Sequence, residues 1–513
     1  MTSAVRLRAA CALPLLLLAS IASARQGERP MLLSPAKSTV AMQTITLAPI
    51  EAEALRAQRA TTIDGALPGV IDKRLAITVN RRVAIDAALD GTWQVLADGT
   101  QVWHVGITSP GATDLHLGFQ RYVLPAGARL WVIGAGGYYE GPYSSDDGDA
   151  LWVPMVPGDS AMLELQLPPS ARRDAVDLVL SDVGAGFRDL FKQVAATGPL
   201  TSGACNINVV CPLGQPYSNE SRALAYYEFT ADDGFGYICT GTMLNTTAGS
   251  TRPFVLTAAH CMSSPTEVAS MRVYWNYRSA QCTPTSSWSF AQNQTGATLR
   301  ATRTDVDTTL VELNAMPDAA WRVFHAGWDA SGVAPATSIG LHHPKGDVAK
   351  VTESRSSPRT MNNCIGTGGS SVNTHWLSGP YTQGTTEGGS SGSGLWIPSS
   401  DGAGLGRRLI GVLSGGNAGC SVSNPSQPDN GYDCYGKLSA AWEGASATTR
   451  LRDWLDPAAS GARSVVGAEA ATTATPAGLR ERVAAERQAV SLRAAQRGVG
   501  ARPLPFDPRT RPD

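Results

Sequence analysis

Three kinds of side chain in this sequence could act together on a carbonyl group. The stretch TEGGSSGSG, residues 386–394, holds three candidate serine nucleophiles: Ser390, Ser391 and Ser393. A Ser nucleophile needs a His as its general base, a carboxylate that orients the imidazole, and backbone N–H groups directed at the developing oxyanion. A tight glycine turn can supply those N–H groups. By composition alone, however, the same stretch could be a flexible linker between domains.

The candidate base stands at the end of an apolar run. FVLTAAHC, residues 254–261, is typical of a strand that ends in small residues, and it is followed by His260 and Cys261. A lone His beside a strand is usually structural. Here, however, Cys239 in the upstream run YICTGTML could form a disulfide with Cys261. Such a bridge would fix the backbone of the His.

The candidate carboxylate precedes a second apolar run. In DVDTTLVELN, residues 305–314, Asp307 stands at the start of the run, where it would be half buried. Asp305 is the rival, but it lies further from the apolar residues and is more typical of a solvated turn. The chain order His, Asp, Ser is that of chymotrypsin and differs from the orders of the other triad folds.

The elements that must position these side chains are mostly strands. The chain has 513 residues, enough for two or three domains, with a low charged fraction of 17% and many Gly (53) and Pro (32) residues. This composition favours turn-rich β architecture over helical bundles. The formal net charge is −1. A nucleic-acid-binding protein would instead show a concentrated basic face, so we expect no nucleic-acid partner.

The N-terminus indicates export. Residues 1–24 contain Arg6 and Arg8, then an apolar run, then Ala-Ser-Ala, which is the pattern of a cleaved secretory signal. A membrane anchor is the alternative, but the apolar run is too short to span a bilayer. No later segment is apolar enough to cross one. We therefore expect a secreted, extracellular protein that does not bind a membrane.

Export changes the interpretation of the cysteines. Of nine, Cys11 leaves with the signal, and the others all lie between Cys205 and Cys434. An even number of cysteines in an exported chain indicates disulfides, although sequence alone allows many pairings. A zinc site is the competing interpretation, but no Cys-x-x-Cys pair occurs. We expect disulfides, no metal and no cofactor.

The cysteine-free region that follows the signal has its own β pattern. Short alternating runs succeed one another, and Asp98 with Gly99 between two of them is a strong hairpin signal. We interpret the region as a β-sandwich-like domain. His104, His116 and the acidic run at 144–150 could suggest a metal site, whereas strand-facing histidines and a solvated loop are the simpler explanation. An adhesion surface built on its tryptophans is an alternative to a simple core.

The cysteine-bearing region, from 200 to about 465, resembles the bacterial lysyl endopeptidases, a branch of the chymotrypsin-like serine peptidases. The shared stretches are CNINVVCP (205–212), CTGTMLNTT (239–247), LTAAHC (256–261), VYWNYRSAQC (273–282), DTTLVELN (307–314), AGWD (326–329), HHP (342–344), TEGGSSGSG (386–394) and TRLRDWLDPAASGA (449–462). They run through nearly the whole region. The resemblance implies an all-β fold, with a chymotrypsin-like double β-barrel peptidase domain preceded by the β-sandwich-like propeptide domain.

Carried over position by position, the resemblance assigns catalytic roles. It makes His260 the general base, Asp307 the residue that orients it, and Ser391 the nucleophile. The N–H groups of Gly389 and Ser391 would form the oxyanion hole, and Ser390 stands where most relatives have an Asp. The implied activity is that of an exported serine endopeptidase acting on proteins and peptides. A catalytically silent binding protein on the same scaffold is the alternative.

The resemblance also implies a pocket for a basic side chain. A Lys or Arg can enter a desolvated slot only when an opposite charge meets it there. The matching carboxylate is Asp433 in GYDCYGK, and Ser414, Gly415 and Gly416 of LSGGNAGC would line the pocket. A surface-loop Asp is the alternative interpretation. The resemblance implies cleavage after Lys. Because Ser414 stands where the lysyl endopeptidases have a His, cleavage after Arg stays an open alternative.

The family's disulfides can also be transferred by position, and they account for three pairs. A fourth bridge is expected between the two cysteines that have no counterpart in those enzymes. The expected pairs are Cys205–Cys420, Cys211–Cys282, Cys239–Cys261 and Cys364–Cys434.

We interpret the whole chain as a zymogen with four segments. They are a signal peptide (1–24), a propeptide with the β-rich domain (25–199), the peptidase domain (200–467), and a linker with an Arg- and Ala-rich tail (468–513). The tail could form a basic surface helix, but a solvated or removed tail is the simpler interpretation. Maturation could start after Lys192 or depend on another protease. The mature enzyme is expected to be a monomer whose partners are its substrates and its own propeptide.

Overall fold

The computed structural model of the chain describes most of the residues between 28 and 470. The described residues are 28–34, 42–50, 71–191, 202–249, 251–283, 285, 288–362, 364, 372–398 and 407–470. The expected signal peptide, the boundary near residue 200 and nearly all of the Arg- and Ala-rich tail lie outside them.

The N-terminal domain (42–191) is a sandwich of two sheets. Its strands are β1 (Thr44–Thr46), β2 (Ile71–Asp72), β3 (Leu75–Asp86), β4 (Thr92–Val95), β5 (Gln101–Thr108), β6 (Asp114–Val123), β7 (Arg129–Ile133), β8 (Tyr139–Tyr143), β9 (Leu151–Trp152), β10 (Val156–Pro157), β11 (Ser160–Leu167) and β12 (Asp177–Gly186). One sheet has the order β1-β5-β11-β7-β8, with β4 beside β5. The other has the order β10-β6-β12-β3, with β9 beside β6.

Alternating apolar side chains explain the sandwich. Val105 and Ile107 of β5 are fully buried, and Leu115 and Leu117 of β6 enter the same core from the other sheet. Residues two apart in a strand point to one face, so each sheet turns an apolar face inward. Burying each such side chain contributes about 1.5–3 kcal/mol. The predicted hairpin is confirmed, since β4 and β5 pair antiparallel and Gly99 in their turn has a φ of 86°.

The C-terminal part is also nearly all β. Its strands are β13 (Ile207–Asn208), β14 (Leu224–Thr230), β15 (Phe235–Leu244), β16 (Phe254–Thr257), β17 (Arg272–Trp275), β18 (Asn293–Thr295), β19 (Ala297–Arg303), β20 (Thr308–Leu313), β21 (Phe324–His325), β22 (Gly327–Asp329), β23 (Ser338–His342), β24 (Lys350–Ser354), β25 (Arg359–Met361), β26 (His375–Ser378), β27 (Gly394–Ile397), β28 (Arg408–Gly416), β29 (Asp433–Lys437), β30 (Ser464–Val465) and β31 (Ala468–Glu469).

Helices in the described residues are short. The α-helices are α1 (Pro265–Ala269), α2 (Leu438–Ala441) and α3 (Arg452–Leu455). The 3-10 segments are Met31–Leu33, Ala135–Gly137, Ser145–Asp147, Arg173–Ala175, Gln215–Tyr217, Glu220–Ala223, Ala319–Trp321 and Pro344–Gly346. Among the described residues, no helix reaches the length and apolar character needed to span a bilayer.

Two curved sheets build the C-terminal part. The first runs β18-β17-β14-β15 and continues from β15 through β16 and β20 to β19. The second has the order β13-β24-β23-β27-β28-β29-β26-β25. Val255 and Leu310 of the first sheet and Leu341 and Val412 of the second lie in one continuous core. The predicted all-β, double-barrel fold is confirmed, and for this part (202–470) we keep the name that the sequence resemblance implies, the peptidase domain.

Four disulfides join parts of the peptidase domain, and they are the four expected pairs. They are Cys205–Cys420, Cys211–Cys282, Cys239–Cys261 and Cys364–Cys434. Each bridge restricts the unfolded chain and stabilises the domain by about 2–4 kcal/mol. One of them connects β15 to the residue after His260, so it fixes the end of β16 where the candidate base stands.

The two domains are joined by strand pairing. β3 of the N-terminal domain pairs antiparallel with β15 of the peptidase domain, so the first peptidase sheet continues into the sandwich. β2 pairs antiparallel with β28, where Ile71 lies opposite Gly416 and Asp72 opposite Gly415. The short connection between β2 and β3 therefore crosses from one peptidase sheet to the other.

Candidate active site

The Gly- and Ser-rich stretch is a tight turn, not a linker. Gly389 and Gly392 have φ values of 93° and 82°, which favour glycine. A Cβ on Gly392 would lie 2.1 Å from Thr257 Oγ1, and one on Gly389 would lie 2.9 Å from the His343 carbonyl oxygen. The backbone therefore approaches its neighbours too closely for larger residues. Ser391, within the turn, is fully buried.

The turn brings Ser391 to the two other predicted catalytic residues. His260 Nε2 lies 2.8 Å from Ser391 Oγ, and His260 Nδ1 lies 2.8 Å from Asp307 Oδ2. The backbone N–H of His260 also donates to Asp307 Oδ1 at 2.7 Å, which fixes the carboxylate from both oxygens. Asp307 is buried and has a φ of 54°, a left-handed conformation that is uncommon for a non-glycine residue. The three side chains form a continuous hydrogen-bonded line.

The rival residues lie in other contacts. Asp305 is half exposed and pairs with Arg303. Ser390 Oγ lies 2.8 Å from His342 Nδ1 and accepts a hydrogen bond from a backbone N–H of the turn, so it braces the turn. Ser393 is buried, and its Oγ has no hydrogen-bond partner among the described residues. Of the candidate serines, Ser391 alone contacts the imidazole of His260 in the described hydrogen bonds.

A carbonyl group already occupies the place where the oxyanion hole was predicted. The Lys73 carbonyl oxygen accepts hydrogen bonds from the N–H groups of Gly389 at 2.5 Å and Ser391 at 3.5 Å. Lys73 belongs to the short connection between β2 and β3 of the N-terminal domain. Two N–H groups that converge on one carbonyl oxygen beside a Ser–His pair are the arrangement that stabilises an oxyanion.

The side chain of the same Lys fills the predicted pocket. Lys73 Nζ lies 2.6 Å from Asp433 Oδ1 and donates to the Ala418 carbonyl oxygen at 3.1 Å, and it also contacts Thr386 Oγ1. Lys73 and Asp433 are both fully buried. A Cβ on Gly416 would lie 2.0 Å from Asp433 Oδ1, so that glycine leaves the space in which the carboxylate sits. Asp433 is thus fully buried, which a surface-loop Asp would not be.

Three further pocket residues were missed by sequence reasoning. Tyr381 donates to Asp433 Oδ2 at 2.8 Å, Thr386 donates to the same oxygen at 2.6 Å, and Tyr435 contacts the Tyr381 hydroxyl at 2.9 Å. Tyr381 and Thr386 thus supply the buried carboxylate with two hydrogen bonds, and Tyr435 contacts Tyr381 behind it. Thr386 opens the Gly- and Ser-rich stretch and could have been found there. The sequence has no motif that marks Tyr381.

The predicted pocket wall contributes backbone. Gly415 and Gly416 pair with the incoming strand β2, as they would with an extended peptide. Ser414 falls at an irregularity in the pairing of β28 with β29, and its buried Oγ has no hydrogen-bond partner among the described residues. Among the described hydrogen bonds, none therefore joins the Ser414 side chain to Lys73 or to Asp433.

The electrostatics of the site centre on His260. Burial by itself lowers the pKa of this imidazole, but the charges of Asp307 and Asp72 outweigh burial and raise the pKa above its ordinary value. Asp72 Oδ1 lies 3.4 Å from His260 Nε2. Burial alone would raise the pKa of Asp72, but the neighbouring His260 and Arg74 charges lower it overall. The positive charge of a protonated His260 is thus stabilised by a carboxylate on each side, Asp307 of the peptidase domain and Asp72 of the N-terminal domain.

The two histidines weighed as metal ligands lie in different sheets. His104 on β5 contacts Gln94, whereas His116 on β6 lies 2.7 Å from Asp114 and 2.6 Å from Glu228 of the peptidase domain. No group of three or more His, Cys, Asp or Glu residues that could hold a metal ion occurs in the described part of the chain. His116 instead forms a buried ion-pair cluster between the two domains.

Two family models match the chain. One, described as lysyl endopeptidase N-terminal domain, matches residues 46–184, and the other, lysyl endopeptidase C-terminal domain, matches residues 200–436. The lysyl endopeptidase of Pseudomonas aeruginosa strain PAO1 is 30% identical over 362 residues, which cover 68% of this chain and 76% of that protein. The sequence similarity thus extends across both domains.

Solved structures of serine proteases resemble parts of the chain more distantly. Protease Anisep from Arthrobacter nicotinovorans has 15% identity and a TM-score of 0.30, covering 45% of this chain and 93% of its own. The thermostable serine protease AL20 from an extremophilic microorganism has 11% identity and a TM-score of 0.29, and the match covers 43% of this chain and 92% of that protein. Because both TM-scores are low, family membership rests on the sequence matches.

Proposed function

Because the chain belongs to the lysyl endopeptidase family and is a serine endopeptidase, we propose that it is a secreted enzyme that cuts protein chains on the carboxyl side of Lys. We propose further that it is made as a zymogen with the four segments 1–24, 25–199, 200–467 and 468–513. The observation that carries the Lys specificity is the position of Lys73, whose ammonium group meets Asp433 while its carbonyl oxygen lies in the oxyanion hole.

In the proposed mechanism His260 removes the proton of Ser391 as the Ser oxygen attacks the carbonyl carbon after a Lys. Asp307 holds the imidazole in the tautomer that accepts this proton and stabilises its charged form. The N–H groups of Gly389 and Ser391 stabilise the oxyanion, and His260 then returns the proton to the leaving amine. A water molecule, activated by the same His, hydrolyses the acyl-enzyme.

The lysines of the chain itself support Lys over Arg. Of the 42 Lys and Arg residues, the six lysines are Lys37, Lys73, Lys192, Lys345, Lys350 and Lys437. In the peptidase domain Lys350 and Lys437 are buried, and only Lys345 is exposed among the described lysines there, where it pairs with Glu387 at 2.7 Å. Arginines such as Arg322 and Arg355 are instead well exposed. An enzyme that cuts after Lys therefore finds few accessible bonds in its own domain.

The test is to incubate the processed enzyme with a peptide library and to identify the cut sites by mass spectrometry. We expect cuts after Lys, a loss on the order of a million-fold in kcat for Ser391→Ala, and a loss of about 10,000-fold for Asp307→Asn. Asp433→Asn should abolish the preference for Lys. Asp305→Asn is the matched control and should keep full activity, because Asp305 pairs with Arg303 outside the site.

Two outcomes would contradict the proposal. Activity that survives in Ser391→Ala would exclude that Ser as the nucleophile. Cuts scattered after apolar residues would exclude Asp433 as the specificity residue.

A further inference from the structure

Residues 71–75 pass through the cleft of the peptidase domain in the way a substrate would. On one side of Lys73, β2 pairs antiparallel with the two pocket glycines of β28. On the other side, β3 pairs antiparallel with β15, where Leu75 lies opposite Ile238. Between these strands the Lys73 side chain enters the pocket and its carbonyl oxygen enters the oxyanion hole. The peptide bond presented to Ser391 is the one between Lys73 and Arg74.

We propose that the Lys73–Arg74 bond is a cleavage site for the chain's own Ser391, and that Asp72 delays this cleavage so that residues 71–75 meanwhile block the cleft. This inference rests on the proposed function, because it requires an active Ser391 and a pocket that accepts Lys. Beyond the proposed function, it names one bond that the enzyme cuts, Lys73–Arg74, and the residue that slows this cleavage, Asp72.

The proposed step uses only groups in the cleft and water. Ser391 Oγ attacks the Lys73 carbonyl carbon and gives its proton to His260. The carbon–nitrogen bond then breaks, His260 protonates the departing amine of Arg74, and Lys73 remains as an ester on Ser391. Water hydrolyses the ester, giving its proton through His260 to Ser391 and leaving a new carboxylate at Lys73.

Asp72 delays the first proton transfer. Its carboxylate lies 3.4 Å from His260 Nε2, the nitrogen that must accept the proton of Ser391. An imidazolium held between two carboxylates cannot accept a further proton. The charged groups that act on His260 are Asp307, Asp72 and Arg74; the two carboxylates raise its pKa and the guanidinium lowers it. With Asp72 present, a larger fraction of His260 is protonated and inactive as a base.

Asp72 also holds the leaving group. The backbone N–H of Arg74 donates to Asp72 Oδ1 at 2.7 Å, and Arg74 Nε donates to Asp72 Oδ2 at 2.7 Å. The Arg74 guanidinium lies over the Tyr237 ring, 4.6 Å from its centroid. After the bond breaks, the new amine therefore stays beside the ester and can re-form the peptide bond. Slow net cleavage follows from an amine that cannot diffuse away.

The experiment follows the full-length chain over time after refolding and identifies new N-termini by mass spectrometry. We expect a fragment beginning at Arg74 to accumulate slowly in the wild type and severalfold faster in Asp72→Asn. Loss of the Asp72 charge lowers the pKa of His260, so the gain should be largest at acidic pH and disappear at alkaline pH. Asp174→Asn is the matched control for a lost carboxylate, because Asp174 is exposed and pairs with Arg172.

Two variants test the role of Lys73. The wild type is expected to hydrolyse a small Lys ester only after an initial lag, while residues 71–75 still block the cleft. Lys73→Gln should yield no Arg74 fragment and should show no lag, because its side chain no longer fills the pocket. Lys37→Gln, which removes another lysine of the N-terminal part, should keep both the fragment and the lag. Ser391→Ala should yield no fragment. Asp72→Asn keeps Lys73, so it tests the proposal even if Lys73→Gln does not fold.

The outcomes separate this inference from the proposed function. If Lys peptides are cut but no Arg74 fragment forms in the wild type or in Asp72→Asn, the inference is overturned and the proposed function stands. Cleavage in Asp72→Asn that is no faster than in the wild type overturns the role of Asp72. If Lys peptides are not cut at all, the proposed function fails first.

Discussion

Two of the contacts that the N-terminal domain makes with the peptidase domain differ in kind. In the cleft it offers a Lys side chain, a carbonyl group and extended backbone, which any Lys-containing peptide also offers. At the second place it offers His116, which lies 2.6 Å from Glu228. Glu228 also accepts from Arg272 Nε at 2.9 Å and from the Tyr274 hydroxyl at 2.6 Å, and all of these groups are buried. No ordinary substrate can replace that contact.

The two contacts also differ in the partners that each peptidase carboxylate, Asp433 or Glu228, retains without the N-terminal domain. In the proposed zymogen, Asp433 loses the ammonium group beside it when that domain departs and becomes accessible to the Lys of a substrate. Glu228 keeps Arg272 and Tyr274, so the peptidase domain retains a compensated charge there. We therefore expect that substrates can displace the cleft contact and that the His116 contact makes the larger contribution to how tightly the N-terminal domain binds.

The largest effect should come from removing the His116–Glu228 contact, which a substrate peptide does not make. His116→Gln leaves Asp114 and Glu228 facing each other in a buried site, and breaking such a pair costs about 3–5 kcal/mol. In a Ser391→Ala chain opened by an engineered protease site within residues 192–201, the N-terminal domain should bind hundreds- to thousands-fold more weakly. Size-exclusion chromatography across a dilution series measures this.

Lys73→Gln in the same opened chain gives the comparison. Its effect should be at the lower end of the range for a buried pair, about 2 kcal/mol or roughly 30-fold, because Asp433 stays buried without the ammonium group but keeps the hydrogen bonds that Tyr381 and Thr386 donate to it. An equal or larger effect of Lys73→Gln would reverse the distinction between the two contacts.

The second prediction concerns pH. Burial lowers the pKa of His116, but the charges of Glu228 and Asp114 outweigh burial and raise it to about 9. Because the pKa in the complex lies above the ordinary 6.5, the ion pair contributes its full stabilisation below about pH 6.5 and loses it as pH rises to about 9. Association of the opened chain should weaken across this interval by at most on the order of 100-fold, because His116 keeps Asp114 as a partner in the free N-terminal domain.

His116→Gln is the control for this pH dependence. In that variant, the pH dependence of association that remains comes from the interaction of His260 with Asp72. It should be smaller than in the parent chain. An undiminished slope would assign the pH dependence to the cleft and not to His116.

The smallest effect should come from Ser414. This residue lies in the cleft, but its side chain makes no described hydrogen bond to the N-terminal domain. Ser414 Oγ is buried without a hydrogen-bond partner among the described residues, so removing the hydroxyl removes no described bond. Ser414→Ala should change the free energy of unfolding by less than about 0.5 kcal/mol and leave KM for Lys peptides unchanged. Thermal unfolding and peptide kinetics check both values. A raised KM would show that the hydroxyl, and not the backbone of β28 alone, positions the substrate.

The candidate site was predictable because its residues stand in short local patterns. His260 ends an apolar strand beside a cysteine, Asp307 begins another strand, and Ser391 lies in a glycine turn. Lys73 was not predicted, because its sequence neighbours look like any exposed turn between two strands. Tyr381 escaped for the same reason: only the folded chain shows that its hydroxyl reaches the pocket carboxylate.

The fold was predictable where strands pair with their neighbours in sequence. The hairpin of β4 and β5 follows from a turn signal and two alternating runs. The pairing of β3 with β15 joins residues about 160 positions apart, as for Leu75 and Ile238, and no local pattern encodes such a register. The cleft is blocked by this kind of long-range pairing, so sequence reasoning found the site without the segment that occupies it.

The strand pair between β3 and β15 also has a consequence for how the enzyme meets proteins. In the mature enzyme that we propose, the N-terminal domain has departed and the backbone of residues 235–238 in β15 has lost its partner strand on that side. An open strand edge beside the cleft can bind the residues that follow a Lys by adding them as a new strand. A target Lys must then lie in a stretch that can be pulled straight on both sides, which folded helices do not offer. Cleavage of intact proteins should therefore begin at lysines in loops and chain ends.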